Sequence, residues 1–579
     1  MTAARIEPRF RAAPSVAPAA DLRPETSAIA FDGHAGSLHT PDPLKALDVG
    51  VVLCSPLGRD ARCAHLPMRL LAQDLAAAGV ATLRFDHLGI GDALDLDDET
   101  ADALPVWLAG VRAAVATLRD QTGVRRVVLG GVRFGATLAA LSVEIADGLI
   151  LLAPVARGGP WLRELKLATA VLAPTTVGAG ACGLDADGLV LSAATASAIG
   201  TIDLRSLDAG HRPVFLAAQN PATTKLGETL TGSGGPVTAE PFGGFAALFD
   251  DSHSNLAPRD LFDQVIAWAV EQFPEPASQS PSAVKIEALL YPPGAVERAV
   301  TFGAGLRGVL CLPQGGALDG KAVVLCNTGG DPHAGIGGFS TATARALARE
   351  GVMSLRFDFA GLGDSPAADG AVRSHVYETP RAADFDAAVA LLQGLGAQKV
   401  IVGGVCAGGY HALHAALDDP RIAGVFAINT VILAWRAGTS LAVGDRDQGR
   451  STQAYVQRLG QLSTWTRLLK GGVDVPAIIR TLNIRLRARL AARSAATPEA
   501  AVKARIDQLS ARGGVVRLIV GAEDPSLDMV VSHFGVAGQR FTRLPGLSLQ
   551  IVPGLDHGLA LKTSREKAGR EVVAFLKEL

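Results

Sequence analysis

The segment KVIVGGVCAGG, residues 399–409, decides the fold. A short apolar run ends in two glycines, a cysteine stands at the tip, and two more glycines open the alanine-rich pattern YHALHAALD. An unbroken Val/Ile run suits a strand buried on both faces, and the stretch after the turn reads as a helix. Between them, Gly404-Val405-Cys406-Ala407-Gly408 has the form G-x-nucleophile-x-G. Such a turn brings its backbone close to its neighbours, so glycines flank the nucleophile two positions away on each side. A thiolate at the start of a helix is also stabilised by the exposed N–H groups and the dipole.

Working outward, the same design stands 273 positions earlier as RVVLGGVRFGA, residues 126–136, with an arginine at the tip. VVLC at 51–54 recurs at 323–326, and LRFDHLGIGD at 83–92 returns as LRFDFAGLGD at 355–364, both at an offset of 272. Self-similarity of this kind marks a duplicated unit. Between the copies lies PEPASQSPS (274–282), a linker by composition. The expected organisation is a disordered start over 1–25, one domain over 26–273, a linker at 274–283 and a second domain over 284–579. The second copy runs KAVVLCN, STATARALAREG, VMSLRFD, AADFDAAVALLQGL, KVIVGGV. Buried strands alternating with helices predict an α/β fold, twice over, each a mostly parallel sheet flanked by helices.

Composition narrows the function classes. At 579 residues the chain exceeds a single core. Lys and Arg number 54 against 56 Asp and Glu, so no global charge points to nucleic acid or a membrane surface. Six cysteines show no CxxC pair, which suits free thiols in a reducing compartment. No apolar run reaches the ~18–20 residues of a membrane span. The start, MTAARIEPRFRAAPSVAPAA, lacks the apolar centre of a signal peptide. A cytoplasmic protein is expected.

The LRFD..G.GD segment, the elbow and a terminal histidine loop together resemble a tandem α/β-hydrolase. Each half resembles hydrolases associated with exosortase and polysaccharide gene systems, and more loosely the serine aminopeptidase-like branch. The cysteine elbow is similar to those of dienelactone hydrolases and polyhydroxyalkanoate synthases. The resemblance implies the chain order nucleophile, acid, histidine. RLIVGAEDPSLD (517–528) is an apolar strand ending in acids, where the family's acid position favours Asp524, with Glu523 and Asp528 as near competitors. IVPGLDHGLA (551–560) carries His557 just before a final amphipathic helix. The family's oxyanion hole implies one N–H near Thr328, in the loop CNTGGDPHAGIGG (326–338), and another from Ala407. The resemblance implies no cofactor.

RPVFLAAQNP (212–221) aligns without a gap to VRLIVGAEDP (516–525), which sets Asn220 opposite Asp524. His253 falls opposite His557 at the same offset of 304. The first half thus carries Arg133, Asn220 and His253 where the second carries Cys406, Asp524 and His557. A guanidinium is no nucleophile at neutral pH, and Asn cannot supply the charge that steadies an imidazolium. A degenerate hydrolase domain is expected there. Two roles stand open for Arg133: holding an anionic group at a helix N-terminus, or an internal ion pair with an acid such as Asp86 or Asp251.

The second half has 31 more residues between elbow and acid than the first. The stretch over about 431–512 holds 14 Lys and Arg against 5 Asp and Glu. TWTRLLKGG and AIIRTLNIRLRARLAARS read as basic amphipathic helices, which the resemblance makes a lid. A basic lid suits an anionic substrate, an acyl-CoA or an acyl carrier protein; a solvated helical cap is the plainer reading. His333 either touches substrate or braces its loop. His411 and His414 lie one turn apart, but no metal site is expected without a third ligand. LGIGD and AGLGD are not dinucleotide fingerprints, because Asp86 and Asp358 occupy the strand ends. The expected function is an acyl hydrolase for esters or thioesters, acting through Cys406, His557 and Asp524. The alternatives are an acyltransferase or polymerising enzyme, and a non-enzymatic binding module derived from a hydrolase.

Overall fold

The computed structural model describes residues 25–172, 183–232, 234–277, 288–315, 320–367, 375–379, 381–436 and 497–579. The expected disordered start up to residue 24, linker residues 278–283 and most of the expected lid, 437–496, lie outside the described residues.

In the first half the strands are β1 (Glu25–Phe31), β2 (His34–Thr40), β3 (Val49–Cys54), β4 (Ala81–Phe85), β5 (Arg126–Val132), β6 (Gly148–Leu152), β7 (Leu184–Ala186), β8 (Leu189–Leu191), β9 (Val214–Ala218) and β10 (Val237–Pro241). In the second they are β11 (Leu289–Leu290), β12 (Ala295–Phe302), β13 (Leu306–Pro313), β14 (Lys321–Leu325), β15 (Met353–Phe357), β16 (Lys399–Val405), β17 (Ile422–Ile428), β18 (Val515–Gly521) and β19 (Leu547–Val552). One sheet runs β1-β2-β4-β3-β5-β6-β9-β10, the other β11-β12-β13-β15-β14-β16-β17-β18-β19. Leaving out β11, the two orders are the same. From β4 and β15 onward every pairing is parallel. The leading hairpins β1–β2 and β12–β13 join antiparallel. β7 and β8 form a separate hairpin.

The central strands are apolar throughout because helices cover both faces. In the second sheet, one face packs against the helices Phe339–Arg349 and Lys562–Glu578. The other packs against Ala382–Gly394, Ala407–Asp418 and Pro498–Ala511. The first sheet repeats this with Arg59–Ala77 and Arg259–Gln272 on one side, and Leu104–Thr122 and Phe134–Leu141 on the other. Among the described residues no helix is long and apolar enough to cross a membrane.

The repeated LRFD..G.GD motif joins the halves. Arg84 Nη2 donates to Asp364 at 2.8 Å, and Arg356 Nε donates to Asp92 at 2.9 Å. In each pair the arginine of one copy meets the last aspartate of the other, the reciprocal pattern of a two-fold interface. Within each copy the aspartate at the strand end shapes the turn. Asp86 accepts from the N–H of Asp92 at 3.0 Å, and Asp358 from that of Asp364 at 2.9 Å. Arg356 is fully buried and also pairs with the buried Glu297 at 2.8 Å. The β7–β8 hairpin adds further contacts: the N–H of Gly188 donates to Ala560 O at 2.8 Å, and Asp185 accepts from the N–H of Lys562 at 2.8 Å.

Candidate active site

β16 ends at Val405, and Cys406 caps the helix Ala407–Asp418 with φ 52° and ψ −110°. A positive φ is costly for a side chain with a Cβ, and such strain concentrates at functional turns. The flanking glycines have steric reasons. A Cβ at Gly408 would meet Asn327 O at 2.6 Å, and one at Gly409 would meet Thr430 Oγ1 at 2.3 Å. The loop after β14 therefore lies against the start of the elbow helix, and Thr328 of that loop and Ala407 are both buried.

Asp524 ends the turn after β18 and caps the helix Pro525–Phe534. Its Oδ1 accepts from the N–H of Ser526 at 2.8 Å, and its Oδ2 accepts from His557 Nδ1 at 2.8 Å. Glu523 faces solvent. His557 in turn interacts electrostatically with the Cys406 thiol. The structure thus brings Cys406, His557 and Asp524 into one chain of contacts. Burial opposes ionisation of the thiol, but the His557 charge, the Tyr377 hydroxyl and the His253 charge outweigh it and hold its pKa below the ordinary value. Burial likewise opposes the His557 cation, and Asp524 and Cys406 together push its pKa well up. Each group of the pair thus favours the charged form of the other. Alkylation of Cys406 is expected to show an inflection below the ordinary cysteine value of about 8.5, moved upward in His557→Ala. A free-thiol titration in the unaltered protein would overturn the pairing.

Four residues of this site escaped the sequence analysis. Tyr377 Oη lies 3.7 Å from Cys406 Sγ, and its ring stacks on Trp435 with centroids 4.8 Å apart. Tyr410 meets the Tyr377 ring edge-on at 5.2 Å, so an aromatic wall flanks the thiol. Asn429, at φ 49°, donates to Asp556 O and His557 O at 2.8 and 3.0 Å, and accepts from the N–H of Gly521 at 2.9 Å. It ties the histidine loop to the end of the acid-bearing strand. Tyr377 and Trp435 stand outside any strand or helix, and Asn429 directly follows a buried strand, so periodicity carries no signal for them.

His333 braces its loop. Its Nδ1 lies 2.7 Å from Asp358 and its Nε2 2.7 Å from Asp92 of the first half, and these carboxylates hold it as a buried cation. His411 and His414 each direct Nε2 at a backbone carbonyl, of Val376 at 2.6 Å and of Leu433 at 3.0 Å.

The first half keeps the elbow and loses the rest. Arg133 has φ 54° and ψ −123°, nearly the Cys406 conformation. Of its two expected roles the internal ion pair is the one seen, with different partners: Arg133 donates to Asp60 at 3.0 Å and to Glu164 at 3.3 Å, not to Asp86 or Asp251. Its guanidinium also lies over the Phe245 ring at 5.8 Å. Arg133→Ala is expected to lower stability by about 1–3 kcal/mol, because Asp60 is left without its partner, while KM stays unchanged. A raised KM at unaltered melting temperature would restore the anion-site reading. Asn220 caps the helix Pro221–Gly232, accepting from the N–H groups of Ala222 and Thr223 at 3.0 and 3.1 Å. Where the second half has Asn429, the first has Ala153 at φ 47°, with no side chain to hold a histidine loop. His253 is turned away: its Nδ1 lies 2.5 Å from Asp251, and its Nε2 faces Gly329 of the second half.

A family model described as the α/β hydrolase fold matches residues 321–469. Among solved structures, an esterase of Pyrococcus furiosus is 15% identical, over 49% of this chain and 90% of that chain, with a TM-score of 0.30. Est1E of Butyrivibrio proteoclasticus, solved with ferulic acid bound, is 19% identical over 42% of this chain and 98% of that chain, with a TM-score of 0.33. A dienelactone hydrolase of Anabaena variabilis is 13% identical over 49% of this chain and 98% of that chain, with a TM-score of 0.29. No curated protein sequence matches the chain. The second half carries the α/β-hydrolase fold, and its sheet order recurs in the first.

Proposed function

We propose that the C-terminal half is a cysteine-dependent acyl hydrolase for ester or thioester bonds, and that the N-terminal half is a pseudo-hydrolase. The observation that carries this reading is the relay from Cys406 through His557 to Asp524 at a strained elbow. The Cys406 thiolate attacks the carbonyl carbon, forming a C–S bond and placing the electron pair on oxygen. The N–H groups of Ala407 and Thr328 hold that oxyanion. His557 keeps the thiol's proton and gives it to the departing alkoxide or thiolate as the tetrahedral species collapses to the acyl-enzyme. A water deprotonated by His557 then attacks, and the acid leaves with Cys406 restored. Asp524 holds the imidazole orientation throughout. The wall of Tyr377, Trp435 and Tyr410 lies where the acyl chain would rest.

Intact-mass analysis tests the reading directly. Short incubation with a panel of aryl esters, acyl-CoA and carrier-bound thioesters is expected to add one acyl mass, mapping to Cys406 after proteolysis. Decay of that adduct to free acid identifies a hydrolase, and decay that waits for an added alcohol or amine identifies a transferase. No adduct from any member of the panel, with no turnover, would favour a binding module. A reducing, cytoplasmic setting suits this chemistry, since Cys54, Cys63, Cys311, Cys326 and Cys406 are all free thiols.

A further inference from the structure

The loop that follows β14 is gripped by the other half of the chain. Arg62 of the first half donates to Asp331 at 3.2 Å, and Asp92 receives His333. At Gly330 a Cβ would strike Ser252 O at 2.2 Å, and at Gly329, where φ is +59°, it would strike His253 Nε2 at 2.2 Å. Only glycines permit this approach, and they let the imidazole lie against the backbone of the loop that packs, through Asn327, on the start of the elbow helix. Nδ1 of His253 is committed to Asp251, and among the described residues Nε2 has no hydrogen-bond partner. The side chain remains 28% exposed.

We infer that His253, supplied by the N-terminal half, is an oxyanion donor of the C-terminal site, its Nε2–H directed at the carbonyl oxygen of the substrate that Cys406 attacks. This rests on the cysteine-hydrolase reading above. With Asp251 accepting from Nδ1, a proton on Nε2 requires the imidazolium. The groups facing the ring are Asp251 on its own loop, Asp331 on the glycine loop and Cys406 at the elbow, with Arg59 and Arg62 behind Asp251 and Asp331. Burial disfavours the cation, but the first three, Asp251 foremost, raise its pKa to about 9. The ring is therefore a donor below about pH 9, and the donation is lost as pH rises through that value. It is the catalytic group that a half without a nucleophile still contributes.

The test compares two reactions of Cys406. Acylation by an ester builds an oxyanion; alkylation by iodoacetamide does not. His253→Ala is expected to slow acylation roughly 10²–10³-fold, the usual loss for one oxyanion donor. The alkylation rate at the plateau of its pH profile should stay within a few-fold. His253→Gln, which keeps a side-chain N–H, should recover part of the loss and lack any dependence on an ionisation near pH 9. Asp251→Asn, which leaves the ring in place but weakens its hold on a proton, should repeat the selective loss at pH 8. Equal loss of acylation and alkylation would mean a structural role and overturn the inference. So would unchanged acylation in the Ala variant. Should Cys406 instead take no acyl group in the unaltered protein, the hydrolase reading itself falls and this inference with it; the adduct mass distinguishes that failure.

Discussion

Cys406→Ala is expected to reduce kcat/KM by roughly 10⁴-fold or more, since removing the nucleophile of a relay costs about as much as removing the whole relay. Cys406→Ser should retain a small fraction of activity: a hydroxyl needs much stronger base assistance than a thiol whose pKa is held down beside His557. Both variants should fold, because the elbow strain resides in the backbone at φ 52° and neither replacement adds bulk. Initial rates on the best ester of the panel, with melting curves as control, decide the matter. An Ala variant retaining a tenth of the activity would remove Cys406 from the mechanism.

The second large effect belongs to the joint between the halves. Asp92 receives Arg356 at 2.9 Å, His333 at 2.7 Å and Thr341 Oγ1 at 3.0 Å, and these partners hold its pKa well below the ordinary range against burial. Asp92→Ala leaves Arg356, which has no exposed surface, with Glu297 alone, and strips His333 of one of its two carboxylates. Breaking a buried pair in this way costs about 3–5 kcal/mol. The pseudo-symmetric Asp364→Ala should cost less, because Asp364 is 21% exposed against 13% for Asp92. The sign with pH follows from the depressed carboxylate. Its contribution is complete above the unfolded value near 3.9 and is lost as pH falls through the lower folded value. Urea midpoints of the two variants and the parent at pH 7, and again as pH is lowered below 4, test both statements. Equal midpoints at pH 7 would show that the clasp adds nothing to stability. Because His333 belongs to the glycine loop, Asp92→Ala should also lower the acylation rate.

Much of the architecture was legible because it is written in contiguous residues. The runs KVIVGGV and RVVLGGV are strands, and both elbows form as the G-x-x-x-G spacing predicts, down to the shared positive φ at Cys406 and Arg133. The acid position expected at the end of β18 is where Asp524 caps the next helix and accepts from His557 at 2.8 Å. The leading hairpins β1–β2 and β12–β13 went unread: each lies outside the strongest repeat and pairs with a strand well downstream.

What the sequence by itself determined is the duplication, the α/β class and the single cysteine elbow. These follow from local periodicity and from turns that only certain residues can make. The tertiary structure decided where Arg133 finds its acids, Asp60 and Glu164; that Asn429 and Tyr377 belong to the site; and that His253 leaves its own half to sit on Gly329 of the other. Each of these depends on surfaces meeting across long stretches of chain, where burial, charge pairing and the space left by a missing Cβ choose the partner. An offset of 304 residues can set His253 opposite His557 in an alignment, but only the docked halves show that it lies against Gly329 of the other half.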